Sequence, residues 1–165
     1  MQVTTTVEET RKLVKNWKKE GKTVGLVPTM GFLHEGHASL IRRCREENDI
    51  VVVSDFVNPT QFGPTEDLEA YPRDFKRDSE LCESLGADLI FHPEPKDMYH
   101  DPHAYVSIDT LSDTLCGKTR PIHFKGGMYG CFQIIQYCST GQSLFWTEGC
   151  AAACNHPQDG AGFEF

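Results

Sequence analysis

The sequence of 165 residues lacks an excess of positive charge, with 16 Lys and Arg against 24 Asp and Glu and a formal net charge of −8. This balance argues against a protein that binds nucleic acid through bulk electrostatics. Long apolar runs are also missing, because stretches such as 50–53 fall far short of the roughly 18 residues that suggest a membrane helix. No basic-then-apolar secretion signal opens the chain. We therefore expect a soluble, cytoplasmic protein with no nucleic-acid or membrane partner.

Cysteine is present, but without the spacing of a disulfide scaffold. The seven cysteines are an odd number, which suits a reducing compartment. The length and the 39% of apolar residues suit one domain with its own core.

Positive charge and core-forming residues disappear after residue 126. All 16 Lys and Arg precede residue 127, and the remaining 39 residues contain no Val and one Leu. Those residues hold six of the 14 Gly and four of the seven Cys. Few of them are of the kind that fills a core. The composition therefore divides the chain into 1–126 and 127–165.

Helical and strand patterns alternate through residues 1–126. Thr6 and Glu9 have capping-box spacing before a helical stripe, and an amphipathic pattern covers 37–48. A third helix is predicted after Pro72, ending at Gly86. Strands are predicted at 23–27, 50–53, 87–91 and 105–108. This order predicts an α/β fold with a parallel sheet, whose ligands bind beyond the carboxyl ends of the strands.

The loop after the first of these strands carries two histidines three residues apart. His34 and His37 precede and open a predicted helix, so their rings and the free helix N–H groups can donate to phosphate oxygens. Gly36 lets a ligand approach the backbone closely. Phosphoryl and nucleotidyl transfer use such an arrangement to position phosphates and neutralise charge. Two alternatives stay open: both histidines only cap the helix, or they form a His-x-x-His metal pair, for which no third ligand is evident.

Two further segments carry polar groups. Asn58 and Gln61, in the loop after the next strand, suit a hydroxyl or carboxylate ligand, although Asn-Pro and Gly-Pro also make this an ordinary turn-rich loop. The segment 118–126 is basic, and either meets an anion or is a solvated loop.

Four motifs occur in register: VPTMGFLHEGH, FVNPTQFGP, EDLEAYPRDFKRD and GKTRPIHFKG. Together they resemble the pantothenate synthetase (pantoate–β-alanine ligase) family over about residues 1–126, in order and without gaps. This family belongs to the nucleotidylyltransferases with a His-x-Gly-His signature, here His34 to His37. The resemblance implies a Rossmann-like parallel α/β sheet, incomplete and without the smaller C-terminal domain of the family.

The resemblance also implies a reaction. Pantoate attacks the α-phosphorus of ATP, which Mg²⁺ accompanies, to give pantoyl adenylate and pyrophosphate. β-Alanine then displaces AMP and pantothenate forms. Pantothenate synthetases are typically homodimers, which makes a second copy of the chain a further expected partner. A different acceptor for the same type of nucleotidyl transfer, or a non-catalytic nucleotide-binding module, is the alternative.

Site residues follow from the same motifs. The resemblance implies that His37 is the catalytic proton donor, that Gln61 binds pantoate and borders β-alanine, and that Asn58 lies nearby. It implies no metal site made by the protein. Asp55 departs from the family pattern, which has an apolar residue there, and a buried carboxylate needs a partner or a raised pKa. The implied ATP-binding residues are Met30, Gly31, Phe32, Leu33, His34, Glu35, Gly36 and His37.

After Gly126 the resemblance stops. Cys150, Cys154 and His156 suggest a zinc cluster, but their spacing matches no standard finger. A better explanation is a one-base shift of the reading frame. When codons permitted for 127–136 are read from their second base, they translate as VCTVVSKLFN. The same shifted reading, continued through residue 165, restores the family sequence with its Gly-x-Lys-Asp motif. We therefore expect 127–165 to be an out-of-frame, poorly ordered tail, which leaves a sheet edge exposed and the chain an inactive fragment.

Overall fold

The computed structural model describes residues 1–63, 68–99, 121–144 and 162–164. Its α-helices are α1 (Val7–Lys19), α2 (Glu35–Glu47), α3 (Phe75–Ser84), α4 (Pro95–Met98) and α5 (Pro121–Cys138). Its strands are β1 (Gln2–Thr4), β2 (Val24–Thr29), β3 (Ile50–Asp55), β4 (Leu89–Phe91), β5 (Gln142–Leu144) and β6 (Gly162–Glu164). A 3₁₀ turn covers Pro59–Gln61.

The strands form a sheet in the order β1-β4-β3-β2-β5-β6. All neighbouring pairs are parallel except β5 with β6, which is antiparallel. The predicted α/β fold with a parallel sheet is therefore confirmed. The predicted strand at 105–108 lies outside the described residues, as do Cys150, Cys154 and His156.

Two apolar clusters cover the two faces of the sheet. One contains Leu26, Val52 and Phe56 and packs against α1 and α5. The other contains Val27 and Val53 with residues of α2 and α3. Because β3 is buried along its whole length, it carries apolar side chains on both faces, as its sequence predicts. Within the described ranges, no helix is both long and apolar enough to cross a membrane.

Local signals place most helix ends. Thr6 caps α1 by accepting a hydrogen bond from the Glu9 N–H, as predicted. Gly86 follows α3 with φ of 81°, a conformation that favours glycine. The helix predicted after Pro72 is present, but Asp74 caps it through the Arg77 N–H, so Pro72 lies before the first turn and not in it.

The prediction that the tail lacks the helix and strand that complete the sheet is wrong for residues 127–144. α5 runs through residue 126 without a break, and β5 pairs with β2. The physical reason is that Tyr129, Ile134 and Cys138 still provide a buried helix face. The sheet edge at β2 is therefore covered. Poor order in 145–161 stays a prediction, because those residues are outside the described part.

Candidate functional site

The candidate site lies where β2 and β3 end. These two strands are paired in parallel from Val24 with Ile50 to Thr29 with Asp55. The loop from Met30 to His34 and the loop from Phe56 onward therefore leave the same edge of the sheet. This is the edge at which ligands bind in open parallel α/β sheets.

The turn after β2 has an unusual backbone. Gly31 has φ of 77° and Phe32 has φ of 51°, both in the left-handed region. A Cβ atom on Gly31 would lie 2.5 Å from Oδ1 of Asp55, so glycine is required there for space as well as conformation. The exposed ring of Phe32 lies against Arg77, whose guanidinium carbon is 5.2 Å from the ring centre.

A carboxylate on α3 holds this turn in place. Asp78, only 1% exposed, accepts the N–H of Phe32 at 2.6 Å and that of Leu33 at 2.8 Å. Our sequence reasoning missed Asp78, although a signal existed. The residue lies three after Phe75 and four before Cys82, on the apolar stripe of the predicted helix. A carboxylate on such a stripe needs buried partners, here the two amides of the loop.

The two histidines interlock at the start of α2. His34 is the N-cap residue, and its Nδ1 accepts the Gly36 N–H at 3.1 Å. The Nδ1 of His37 accepts the His34 N–H at 3.3 Å, and the two ring centres are 4.1 Å apart. A ring nitrogen that accepts a hydrogen bond carries no proton, so each neutral ring holds its proton on Nε2. Both rings therefore present an N–H donor on the side away from the cap.

The surroundings of His37 favour its neutral form. Burial lowers the pKa of His37, the neighbouring His34 lowers it further, and Asp78 opposes both effects. At neutral pH His37 is therefore an uncharged N–H donor. Capping of the helix and binding of a phosphate are therefore compatible roles for the two histidines, because capping uses the Nδ1 atoms and not the Nε2 atoms. Within the described ranges, no group of three His, Cys, Asp or Glu residues is placed to hold a metal ion.

The other residues of the predicted ATP set lie at different places around the loop. Glu35 is exposed and binds Arg42 at 2.6 Å, so its carboxylate faces along α2. Gly36 is the first amide donor inside the cap. Met30 and Gly31 line a cavity of about 280 Å³ together with Val57. His34 and His37 do not line that cavity.

Asp55 points into the same cavity and is 5% exposed. Its Oδ2 lies 3.6 Å from Nδ1 of His92, and its backbone carbonyl lies 2.8 Å from the same nitrogen. Burial raises the pKa of Asp55, with His92 opposing the rise and Asp78 adding to it. The expectation that this carboxyl needs a partner or a raised pKa is confirmed on both counts.

The loop after β3 is held by the side chain of Asn58. Its Oδ1 accepts the Thr60 N–H at 3.0 Å and the Tyr99 hydroxyl at 2.7 Å. Its Nδ2 donates to the carbonyl of Gly126 at 3.0 Å, and the residue is 2% exposed. Asn58 thus lies near Gln61 as expected, but its oxygen binds Thr60 and Tyr99 and its NH₂ group joins the loop to α5.

Gln61 ends the 3₁₀ turn and is 8% exposed. Its carbonyl lies 3.1 Å from Nδ1 of His123, which fixes the backbone against α5. Within the described part of the chain, no hydrogen bond is found for its side-chain amide. A Cβ atom on Gly127 would lie 3.6 Å from its Nε2. The amide lies at the start of α5, and the structure does not bring it into contact with His34 or His37.

The basic segment 118–126 is only partly described, since 118–120 lie outside the described residues. Lys125 is exposed. His123 and Gly126 contact the loop after β3 rather than solvent alone. Residues 121–126 of this segment are therefore part of the packing between loop and helix.

Comparison with known proteins gives a consistent result. A family model described as pantoate-beta-alanine ligase matches residues 2–146. Pantothenate synthetases of Clostridium botulinum and Ruminiclostridium cellulolyticum are 54% and 59% identical over 127 residues, which is 76% of this chain and 45% of each relative. The chain thus spans about half the length of the curated relatives that it matches.

Solved structures extend the likeness. A pantothenate synthetase from Thermus thermophilus superposes with a TM-score of 0.80 at 40% identity, covering 88% of this chain and 51% of the other. A pantoate-beta-alanine ligase from Francisella tularensis, solved with beta-gamma ATP and beta-alanine, gives 0.79 at 35% identity, covering 86% and 54%. The backbone likeness therefore covers more of this chain than the sequence likeness to the curated relatives.

Proposed function

This chain belongs to the pantoate–β-alanine ligase family, and we propose that its described residues form the ATP-binding half of a site that makes pantothenate from pantoate and β-alanine. The loop from Met30 to His37 binds the nucleotide. Gln61 binds pantoate and borders the β-alanine position. The Francisella relative solved with beta-gamma ATP and beta-alanine supports this choice of ligands.

The observation that carries the proposal is the pair of Nε2–H donors at the start of α2. Both Nδ1 atoms are used by backbone N–H groups, so both Nε2–H groups remain for a ligand. The helix N-terminus adds a partial positive charge and free amides at the same place. Two N–H donors together with a helix dipole suit the oxygens of a polyphosphate.

The proposed reaction has two steps. The carboxylate of pantoate attacks the α-phosphorus of ATP and pyrophosphate leaves, while His34 and His37 stabilise the charge that grows on the phosphate oxygens. The amine of β-alanine then attacks the acyl carbon of pantoyl adenylate, and AMP leaves. The Nε2–H of His37 donates a hydrogen bond to the departing phosphate, and the proton that the amine loses passes to solvent. Mg²⁺ enters as the ATP complex and is part of the substrate.

We propose further that 127–165 are an out-of-frame segment and that the chain has no ligase activity by itself. Met128 and Trp146 each have a single codon, and both codons fit the one-base shift. In the shifted frame the family's Gly-x-Lys-Asp motif reappears, whereas the present chain has no lysine after residue 126. Sequencing of the coding DNA near codon 126 tests this proposal, and an uninterrupted frame with no surplus base contradicts it.

Two expectations about context are part of the proposal. Among the described cysteines, the buried Cys44, Cys82 and Cys138 are free thiols, which supports a reducing compartment, the cytoplasm. The family resemblance suggests a homodimer. Size-exclusion chromatography with light scattering tests the second expectation.

Isothermal titration calorimetry tests the nucleotide proposal. We expect the purified chain to bind MgATP, and the double variant His34→Ala/His37→Ala to lose at least about tenfold in affinity because two hydrogen bonds to charged groups disappear. Arg43→Ala, an exposed change on the same helix, serves as the control and retains the affinity of the parent. Equal affinity in all three proteins contradicts the proposal. Adding pantoate separates the alternatives, since a nucleotide-binding module binds ATP and ignores pantoate.

A further inference from the structure

The loop that carries the histidines is fastened by α3 on two sides. Asp78 accepts two consecutive amides, from Phe32 and Leu33. The neighbouring Arg77 donates from its NH2 group to the carbonyl of Leu33 at 3.3 Å. Two adjacent residues of α3 therefore bind the backbone just before His34: Asp78 accepts from its two N–H groups, and Arg77 donates to its carbonyl.

This fastening is more than ordinary packing, because the backbone it holds is otherwise unfavourable. Phe32 lies in the left-handed region, which costs a non-glycine residue on the order of 1 kcal/mol. A carboxylate that accepts two N–H groups provides strong, charge-assisted hydrogen bonds. The turn is thus kept in this conformation by Asp78, and the conformation determines where the backbone N–H of His34 points.

The His34 N–H is the link to the imidazole pair. It donates to Nδ1 of His37, and this hydrogen bond selects the tautomer and the direction of the His37 ring. Asp78 also acts on His37 through space, since its charge favours the protonated form of that ring. The carboxylate therefore influences both the orientation and the basicity of the His37 ring, although its own hydrogen bonds are made to the amides of Phe32 and Leu33.

We propose that Asp78 is a positioning residue: its carboxylate holds the turn before His34 so that both imidazoles present Nε2–H to the phosphates of ATP. The proposal rests on the proposed function for its ligand. It adds a residue on a different helix, separated from His34 by 44 positions in the chain. Its effect passes through the backbone of residues 32–34.

Asp78→Asn tests the proposal, because it keeps the size of the side chain and replaces one acceptor oxygen by an NH₂ group that faces an N–H. Asp74→Asn is the matched control. It removes the same charge from the first residues of the same helix, where Asn is an equally good N-cap. Both variants therefore have the same net charge, and only the first loses the fastening of the loop.

Two measurements are made without nucleotide. Amide exchange at Phe32 and Leu33 is compared with exchange at Val52, whose amide lies in the central strand and reports global unfolding. We expect exchange at the two loop amides, relative to Val52, to rise about tenfold or more in D78N. Long-range ¹H–¹⁵N spectra of the imidazoles should show a mixture of tautomers at His37. D74N should match the parent in both measurements.

The third measurement is the affinity for MgATP, which we expect to fall about tenfold in D78N and to stay unchanged in D74N. Loop exchange and imidazole signals in D78N that equal those of D74N overturn the proposal, and so does an altered tautomer with full ATP affinity. If the parent chain does not bind ATP, the proposed function fails, and the imidazole signals alone decide whether Asp78 positions the pair. If D78N does not fold, Asp78→Glu, which keeps the charge and shifts the oxygens, is measured in its place.

Discussion

The described residues before position 100 and those of 121–144 are built in different ways. In the first region, helix ends and loops are fixed by their own side chains, such as Thr6 on α1 and Asp78 on the loop after β2. In the second, α5 and β5 are held largely by groups of the first region. Asn58 binds the carbonyl of Gly126, and Lys18 binds that of Ser139 at 2.8 Å.

Under the proposed frame shift, the part of α5 after residue 126 docks through contacts for which its sequence was not selected. α5 meets the 3₁₀ turn at glycines, where a side chain would collide with the loop. It contributes a few buried residues, while Ile122 and Phe132 remain exposed. The glycines of α5 allow it to lie close to the loop after β3, and Asn58 of that loop donates a hydrogen bond to the helix backbone.

The largest effect is expected at the contact between α5 and the loop. A Cβ atom on Gly126 would lie 1.9 Å from the carbonyl oxygen of Thr60, so Gly126→Ala should cost about 3 kcal/mol or more of the free energy of unfolding. Gly141→Ala is the control, because nothing lies within 4 Å of its Cβ. Urea titration measures both. Equal stability of the two variants would show that α5 does not dock, and the comparison between the regions would fail.

Truncation of a buried side chain on α5 tests the same contact from the other side. Ile134 is 5% exposed, so Ile134→Ala should cost about 2–3 kcal/mol. Phe132→Ala on the same helix should change stability by less than about 0.5 kcal/mol, because Phe132 is 43% exposed. If denaturant titration shows no loss in the free energy of unfolding for Ile134→Ala, α5 does not pack against the rest of the chain and the prediction is contradicted.

Removal of the Asn58 side chain should lower the free energy of unfolding by a smaller amount. Asn58→Ala removes the acceptor of the Tyr99 hydroxyl and leaves the Gly126 carbonyl with only the 3.3 Å hydrogen bond from the Thr60 hydroxyl, which should cost about 2 kcal/mol. Asn16→Ala on the exposed face of α1 should stay within about 0.5 kcal/mol of the parent. Chemical denaturation gives both values. A cost for Asn58→Ala no larger than that of the control would remove Asn58 as the link between the regions.

The smallest effect depends on pH and belongs to the first region alone. The native state holds the Asp55 proton above the ordinary pKa near 3.8, so Asp55 lowers stability as the pH rises through this window. The melting temperature of Asp55→Asn relative to the parent should therefore rise between pH 4 and pH 7, by about 2–4 °C for each kcal/mol. Asp49, whose pKa is lowered by hydrogen bonds from Thr23, should show the opposite sign when changed to Asn, and in a different window: the parent loses this stabilisation as the pH falls below about 3.8. If the melting temperatures of the parent and the two Asn variants change in parallel with pH, the prediction is contradicted.

Much of the fold could be predicted because its signals are local. The apolar run of β3, the cap at Thr6 and the glycine at 86 each depend on a few neighbouring residues. β1 could not be predicted in the same way, because its three residues carry no periodic pattern and pair only with β4 across the chain.

The candidate site divides along the same line. His34 and His37 could be found from their spacing, but Asp78 could not be assigned a partner from a motif, since its amides are more than 40 residues away. Asn58 was expected near the ligand because an amide suits one, whereas the folded chain uses that amide internally. The helix across residue 126 was missed because composition alone does not reveal partners offered by the rest of the fold.

The most direct test of the central claim is the state of the two imidazoles in the parent chain at pH 7, read by long-range ¹H–¹⁵N spectroscopy before and after addition of MgATP. Our account predicts that His34 and His37 both carry their proton on Nε2, and that ATP shifts the Nε2 signals of both rings. Protons on Nδ1, or Nε2 signals that do not respond to saturating ATP, would contradict it.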